Sequence, residues 1–280
     1  MQLHAHAFED NTAWRDQAVL VVGMGNSAMD IAVESSFVAS RTYMAARTPV
    51  HVVPKYVFGK PLDQFESPTL ARTLPWKMRQ KLTATMLKAV VGSYERYGLR
   101  TPSHGLLQAH VTVSDTILTR LAHGAVIAKP NLARFEGSEA VFEDGTRAHV
   151  DVVVYCTGYR ITFPFFDKEL VSAPDNRISL YKRVFHPEMT DLAFIGLVQP
   201  LGAIMPIAEE QGRLVADRLT GRYALPSRTE MAASMAANEA AIRARYIGSK
   251  RHTIQVDFET YLHELRQERR KGAQRVGAGV

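Results

Sequence analysis

The chain has 280 residues, 46% of them hydrophobic and 22% charged, with a formal net charge of +6. This length suits two domains or one large α/β unit, and the balance supplies a sizeable core and excludes a disordered chain. The single cysteine, Cys156, excludes a disulfide framework, a C-x-x-C redox pair and a cysteine zinc site, and fits a reducing cytoplasm.

Residues 1–17 are polar, carry Trp14 and read as a connection into the first strand. They have neither the charged n-region nor the apolar core of a secretory signal. His4-x-His6 is the closest histidine pair, with no third ligand at a recognisable spacing, so no metal is expected. Along the whole chain no run approaches the ~18 uninterrupted apolar residues of a membrane span.

Val19-Leu20-Val21-Val22 then reads as a fully buried parallel strand. Gly23 and Gly25 follow at once, and Ala28 stands where the G-x-G-x-x-G/A pattern wants its third small residue. Asn26, Ser27 and Asp30 open an apolar helix running to about Ser36. Strand, glycine turn and helix in this order make a dinucleotide site for a physical reason. Glycines let the backbone reach a pyrophosphate without a Cβ clash, and the helix start offers unpaired N–H groups and the positive end of its dipole. A ligand-free tight turn is the plainer reading, but two glycines at this spacing leave a hole in the surface. A nucleophile elbow fails at Met29, where a small residue is needed.

The second strand is expected at Thr42–Ala46. At its end, 22 residues after Gly25, stands Arg47 where NAD-binding proteins place an acid. A cation there suits a 2′-phosphate, so the site favours NADPH. A solvated strand-end charge is the alternative.

After Arg47 the alternation breaks. Residues 48–110 hold Pro49, Pro54, Pro61, Pro68, Pro75 and Pro102, and read as an insert that shapes a pocket. One helix stands out from about Trp76 to Val91, with Met78, Leu82, Met86, Leu87 and Val90 on one face. Tyr56-x-x-x-Lys60 mimics a dehydrogenase pair, but Pro54, Gly59 and Pro61 forbid the helix that pair needs.

A short helix is expected from Ser114, as N-cap, to Leu121, then a strand at Val126–Ala128. Segments 133–135, 140–142 and 147–149 form a three-strand meander, its second turn marked by Asp144-Gly145. Residues 151–156 make a second buried strand ending in Thr157-Gly158-Tyr159, a turn small enough for close approach of a cofactor, with Cys156 a core thiol. Further strands are expected at 178–185 and 192–196. Gln199-Pro200-Leu201-Gly202 leads into a helix over 205–219, with Pro206 in its first turn. That start is either an anion or flavin site or an ordinary, well-punctuated helix. From 228 onward the chain is helical, with a polar joint at 248–252 and a frayed end over 272–280. Arg266, Arg269, Arg270, Lys271 and Arg275 read as a solvated helix face rather than a nucleic-acid surface, because no aromatic platform accompanies them. The fold class is α/β: a Rossmann-type domain over 18–156, interrupted at about 48–110, followed by a portion belonging to another sheet.

Four ordered segments resemble the flavin-containing monooxygenases. Gly23-Met24-Gly25-Asn26-Ser27-Ala28-Met29-Asp30-Ile31-Ala32 resembles that family's NADPH motif, and Cys156-Thr157-Gly158-Tyr159 its A/C-T-G-Y linker. Gly196-Leu197-Val198-Gln199-Pro200-Leu201-Gly202 resembles its flavin-contacting segment, and Ile254-Gln255-Val256-Asp257-Phe258-x-x-Tyr261 its tail. His4 and Phe8 fit the last two positions of the fingerprint F-x-G-x-x-x-H-x-x-x-[YF], whose first two would fall before Met1. The family's N-terminal FAD motif is absent. By resemblance, this is therefore the C-terminal half to two-thirds of a two-dinucleotide-binding flavoprotein. Residues 1–17 would link from a missing FAD-binding segment, 157–225 would complete the FAD domain, and 226–280 would be a helical tail.

The resemblance implies that NADPH reduces FAD and that the reduced flavin uses O₂ to oxygenate a soft nitrogen or sulfur, or a ketone. The partners it implies are a small-molecule substrate, O₂ and a separate FAD-binding segment. It implies that Gly23, Gly25, Asn26, Ser27 and Ala28 hold the pyrophosphate, Arg47 the 2′-phosphate, and Thr157, Gly158 and Gln199 the flavin–nicotinamide junction. No side chain is expected to act as catalytic acid or base. The alternatives are a non-catalytic NADPH-binding remnant and a flavin disulfide reductase, against which the lone cysteine argues.

Overall fold

The computed structural model describes residues 1–62, 74–106, 108–109, 111–245 and 253–278. Among them the chain forms two compact units, one over Met1–Phe65 and Lys77–Tyr159, the other over Glu66–Trp76 and Arg160–Val280.

The strands of the first unit are β1 (Gln2–His4), β2 (Ala18–Val22), β3 (Arg41–Ala45), β4 (Val52–Val53), β5 (Tyr56–Val57), β6 (Lys60–Pro61), β7 (Thr112–Val113), β8 (Ile127–Lys129), β9 (Leu132–Glu136), β10 (Glu139–Phe142), β11 (Arg147–His149) and β12 (Val152–Tyr155). Its helices are α1 (Asn26–Ser35), α2 (Trp76–Val91) and α3 (Ile117–Ala122). The central sheet is parallel throughout, in the order β1-β12-β2-β3-β8. The chain moves outward from β2 to β3 and β8, then crosses back to place β12 on the other side of β2. The switch point, where ligands of such sheets bind, therefore lies at the C-terminal ends of β2 and β12.

β2 is buried on both faces, as its apolar run requires. Val19 and Val21 pack with Ala28, Met29 and Ile31 of α1 and with Ile117 and Leu121 of α3. Leu20 and Val153 point the other way, onto Ala140, Phe142 and Ala148 of the β9–β11 meander. The meander is antiparallel and turns at Asp144-Gly145, as expected.

Several expectations need correction. Residues 1–17 are not merely a connection, because β1 forms an edge strand on β12 and Trp14 is buried in the main core. On α2, Leu87 and Val91 are buried, whereas Met78, Leu82 and Val90 are exposed, so the helix seats only its C-terminal end. The short helix starts at Ile117 rather than near Ser114, although Ser114 Oγ does accept the Ile117 N–H at 3.3 Å. Tyr56 and Lys60 belong to a hairpin turned by Phe58 and Gly59, both at positive φ.

The second unit contains β13 (Gln199–Leu201), α4 (Met205–Leu219), α5 (Arg228–Arg245), β14 (Gln255–Asp257) and α6 (Phe258–Ala278). β13 and β14 pair in parallel, and α4 packs on α6 through Ile207, Leu214, Tyr261 and Leu265. The stretch 178–185 is not a strand. Lys182 and Arg183 take left-handed φ values of 50° and 55°, folding it back so that Tyr181 faces Phe185 in one isolated bridge. The 192–196 stretch contributes only the bridge from Ala193 to Phe185. The polar joint at 248–252 lies outside the described residues. The C-terminal end is not frayed through Gly272: α6 runs to Ala278, and a Cβ on Gly272 would overlap the ring of Tyr223. Nor is its basic face simply solvated. Arg269 pairs with Glu210 at 2.8 Å and Asp217 at 2.7 Å, and Arg275 pairs with the buried Glu268, which also accepts the Tyr223 hydroxyl.

Candidate functional site

The residues singled out in the glycine turn meet at the switch point. Gly23 continues from β2 with φ +137°, a conformation that only glycine adopts without strain. Its N–H donates to Ala45 O at 2.8 Å, while the Cys156 N–H donates to Val22 O at 2.8 Å. The turn is thus tied to the ends of both neighbouring strands. A Cβ on Gly23 would stand 2.5 Å from the Cys156 carbonyl oxygen. Its smallness therefore serves the approach of the β12 end.

Gly25 is the N-cap of α1 at φ −83° and ψ −179°. The Met29 N–H closes the first helical bond onto Gly25 O at 3.1 Å. By helix geometry the N–H groups of Asn26, Ser27 and Ala28 have no intrahelical acceptor. Those amides, with the positive end of a ten-residue helix behind them, fit an anion. Ala28 is fully buried and lets α1 pack closely on the sheet. The Asn26 side chain makes a long-range contact as well: its Oδ1 accepts the Val113 N–H at 3.0 Å. Its neighbour Thr112 is buried and donates its hydroxyl to Met24 O at 2.9 Å. Two residues just beyond the insert therefore clamp the glycine turn. No sequence signal marks them, because the partners are 87 and 88 positions apart.

Arg47 stands two residues past the end of β3 and is exposed. Arg100, from the insert, reaches the same strand end and donates Nη2 to Ala46 O at 2.8 Å and Arg47 O at 2.9 Å. Asp30 on α1 is held above the usual carboxylate range by burial, an effect that Lys55 partly offsets.

On the β12 side, Thr157 is exposed and Gly158 turns at φ +101°. His4 anchors this turn. Its Nδ1 accepts the His6 N–H at 3.1 Å, which leaves Nε2 to donate to Gly158 O at 3.1 Å. Tyr159 meets the His4 ring edge-on at 5.4 Å. Burial pushes the Cys156 thiol up to about 12, in keeping with a core thiol.

Gln199 lies in the second unit, apart from these residues in the chain's division. Its N–H donates to Ile254 O at 2.8 Å, and it stands opposite Gln255 in the β13–β14 register. Sequence reasoning missed Gln211, which is fully buried. It accepts the Gly196 N–H at 2.8 Å and donates to Tyr261 Oη at 2.8 Å, and that hydroxyl in turn donates to Lys182 O. Gly202 (φ +143°) approaches Phe258 rather than open space, since a Cβ there would lie 3.1 Å from the Phe258 Cβ. Among the described residues no three metal-ligand side chains cluster, and no helix is long and apolar enough to cross a membrane.

Comparison with known proteins bears on all of these segments together. The family model described as "Flavin-binding monooxygenase-like" matches residues 1–272. Flavin-containing monooxygenase 5 of Homo sapiens is 37% identical over 270 residues, a match covering 94% of this chain and 50% of the relative. Flavin-containing monooxygenase 2 of Homo sapiens is 34% identical over 280 residues, covering 95% and 51%. The chain thus spans about half the length of the curated relatives it matches. Among solved structures, S-allyl-L-cysteine S-oxygenase from Allium sativum superposes with a TM-score of 0.60 at 23% identity, over 99% of this chain and 52% of the other. Cyclohexanone monooxygenase from Rhodococcus sp. Phi1 bound to NADP⁺ does so with a TM-score of 0.61 at 13% identity, over 97% and 68%. At these identities the two structures speak for the fold alone.

Proposed function

The chain belongs to the flavin-binding monooxygenase-like family, and from that premise we propose that it is the NADPH-holding part of a flavin-dependent monooxygenase acting with FAD, O₂ and a small-molecule substrate. The observation that carries the reading is the meeting of Gly23, Gly25 and the α1 start with the 156–158 turn at the switch point, with Arg47 on the next strand end. In this reading the amides of Asn26, Ser27 and Ala28 bind the pyrophosphate, and Gly25 leaves room for it. The Arg47 guanidinium pairs with the 2′-phosphate. Asn26 acts through its side chain as a positioning residue, holding the turn onto Val113.

NADPH and FAD, when bound, supply the hydride and the oxygen-activating chemistry that this family uses to oxygenate soft nitrogen or sulfur atoms or ketones. The chain's own residues bind and orient. Thr157 and Gly158 are the proposed flavin contacts on the first unit. The ADP half of FAD is gripped by a further FAD-binding segment, in the same polypeptide or another. A reducing cytoplasm suits a chain whose one thiol is held protonated.

The test is equilibrium titration of the 280-residue chain with NADPH and NADH, repeated on Arg47→Ala. A charge-assisted contact to the phosphate predicts a preference for NADPH of roughly 1.5–3 kcal/mol, lost in the variant. Equal affinities in the wild type would overturn the assignment of Arg47 and of the cofactor.

A further inference from the structure

Resting on the reading that NADPH occupies the glycine turn, we infer that Arg100 is a second specificity-determining residue, selecting the 2′-phosphate together with Arg47. A strand end offers a ribose the carbonyls that the sheet leaves unpaired. The last carbonyl of β3, Ala45 O, is taken by the Gly23 N–H, and the next acceptors along the chain are Ala46 O and Arg47 O. Bare acceptors suit a 2′-hydroxyl, which can donate to them, and repel a 2′-phosphate, which cannot. Here those acceptors are taken up. Arg100 Nη2 donates to Ala46 O and Arg47 O together. One side chain thus removes the features that favour NADH and adds a full positive charge beside them.

The backbone holds Arg100 in place. The turn at Tyr94–Tyr97 ends at Gly98 with φ +70°, and Gly98 lies against Ala128 of β8. Leu99 is buried in the main core, and its N–H donates to Tyr94 O at 3.1 Å. The segment 98–100 is therefore fixed where it passes the strand ends, and Arg100 turns outward onto β3. Glu95, an acid of the same turn, is engaged by the Thr101 hydroxyl. Among the described residues neither Arg47 nor Arg100 forms an ion pair with a carboxylate. The Arg100 guanidinium thus rests on the backbone of Arg47, itself an exposed cation, and two positive charges on neighbouring positions favour a doubly charged anion. Each offers the paired N–H geometry that suits phosphate oxygens.

The experiment compares wild type, Arg100→Gln and Arg100→Ala by titration with NADPH and with NADH. Glutamine retains an amide donor for the two carbonyls and removes the charge. Arg100→Gln should bind NADPH about tenfold or more weakly and NADH as tightly as wild type. Arg100→Ala should narrow the preference further, because it also bares the carbonyls to the 2′-hydroxyl. An unchanged NADPH affinity in Arg100→Gln overturns the inference. Equal losses for both nucleotides also overturn it, by showing that Arg100 only props the strand end. A wild type with no preference for NADPH instead defeats the reading on which the inference rests, and the two failures are distinct.

Discussion

The carbonyl oxygen of Cys156 occupies the space a side chain on Gly23 would need, with an ideal Cβ only 2.5 Å away. The first glycine of the turn is thus fixed by the neighbouring strand end, before any ligand enters the argument. Gly23→Ala should destabilise the first unit by about 2 kcal/mol or more, because φ +137° is strained for alanine and a strand carbonyl cannot yield cheaply. Chemical denaturation of the variant checks this, and a midpoint equal to wild type would show that the two strand ends separate freely.

Gly25 behaves differently. Its φ of −83° is open to any residue, so Gly25→Val should fold with a cost of about 1 kcal/mol at the N-cap. Its branched side chain would stand in the path of the pyrophosphate, and NADPH binding should be lost. A folded Gly25→Val chain that binds NADPH as wild type would make the turn purely structural.

Cys156 should be unreactive. Its thiol is pushed up to about 12 by burial, so almost no thiolate exists at pH 8. Alkylation by iodoacetamide at pH 8 should be negligible in the folded chain and complete in denaturant. Rapid modification of the native protein would contradict the burial.

His51 couples the insert to pH. Its Nε2 bonds to His104 O at 2.9 Å, and burial holds its pKa below the ordinary 6.5. Below pH 6.5 the unfolded chain binds the proton that the folded chain resists, so stability is full above that value and falls as pH drops beneath it. Between pH 7.5 and 5.5 the denaturation midpoint should decline, and His51→Gln should decline less. The lowered carboxylates Asp144 and Asp151 titrate beneath this window. Parallel curves for the two proteins would remove His51 from the account.

FAD should need more than this chain. Gly202 is committed to Phe258, and in our reading the β2–α1 turn is committed to NADPH. The purified chain should therefore carry less than one FAD per molecule and oxidise NADPH only when an FAD-binding segment is supplied in cis or in trans. A stoichiometric flavin spectrum from the 280-residue chain alone would refute this.

The turn at 23–28 was legible because its chemistry is local: an apolar run, two glycines and a helix start lie within a dozen residues. The meander was legible for the same reason at Asp144-Gly145. What stayed hidden depends on distant partners. Thr112, just past the insert, and Arg100, within it, look ordinary until β4–β7 pairing and the buried Leu99 bring them to the site. The stretch 178–185 has the apolar content of a strand, and only the left-handed pair Lys182-Arg183 reveals a fold-back. β1 is three residues long and polar at both ends, too short for any periodicity to show.

The register of β1 on β12 has a consequence for how the protein is made. Gln2 sits opposite Val153, and these two strands bracket the whole sequence of the first unit. At ribosomal rates β1 must wait on the order of ten seconds after emerging before its partner is synthesised. β2 and β3 are neighbours in the chain and can pair long before that. Within the first unit, the strand made earliest is thus among the last to be docked. Meanwhile its edge-forming backbone stays available to chaperones, or to a competing strand.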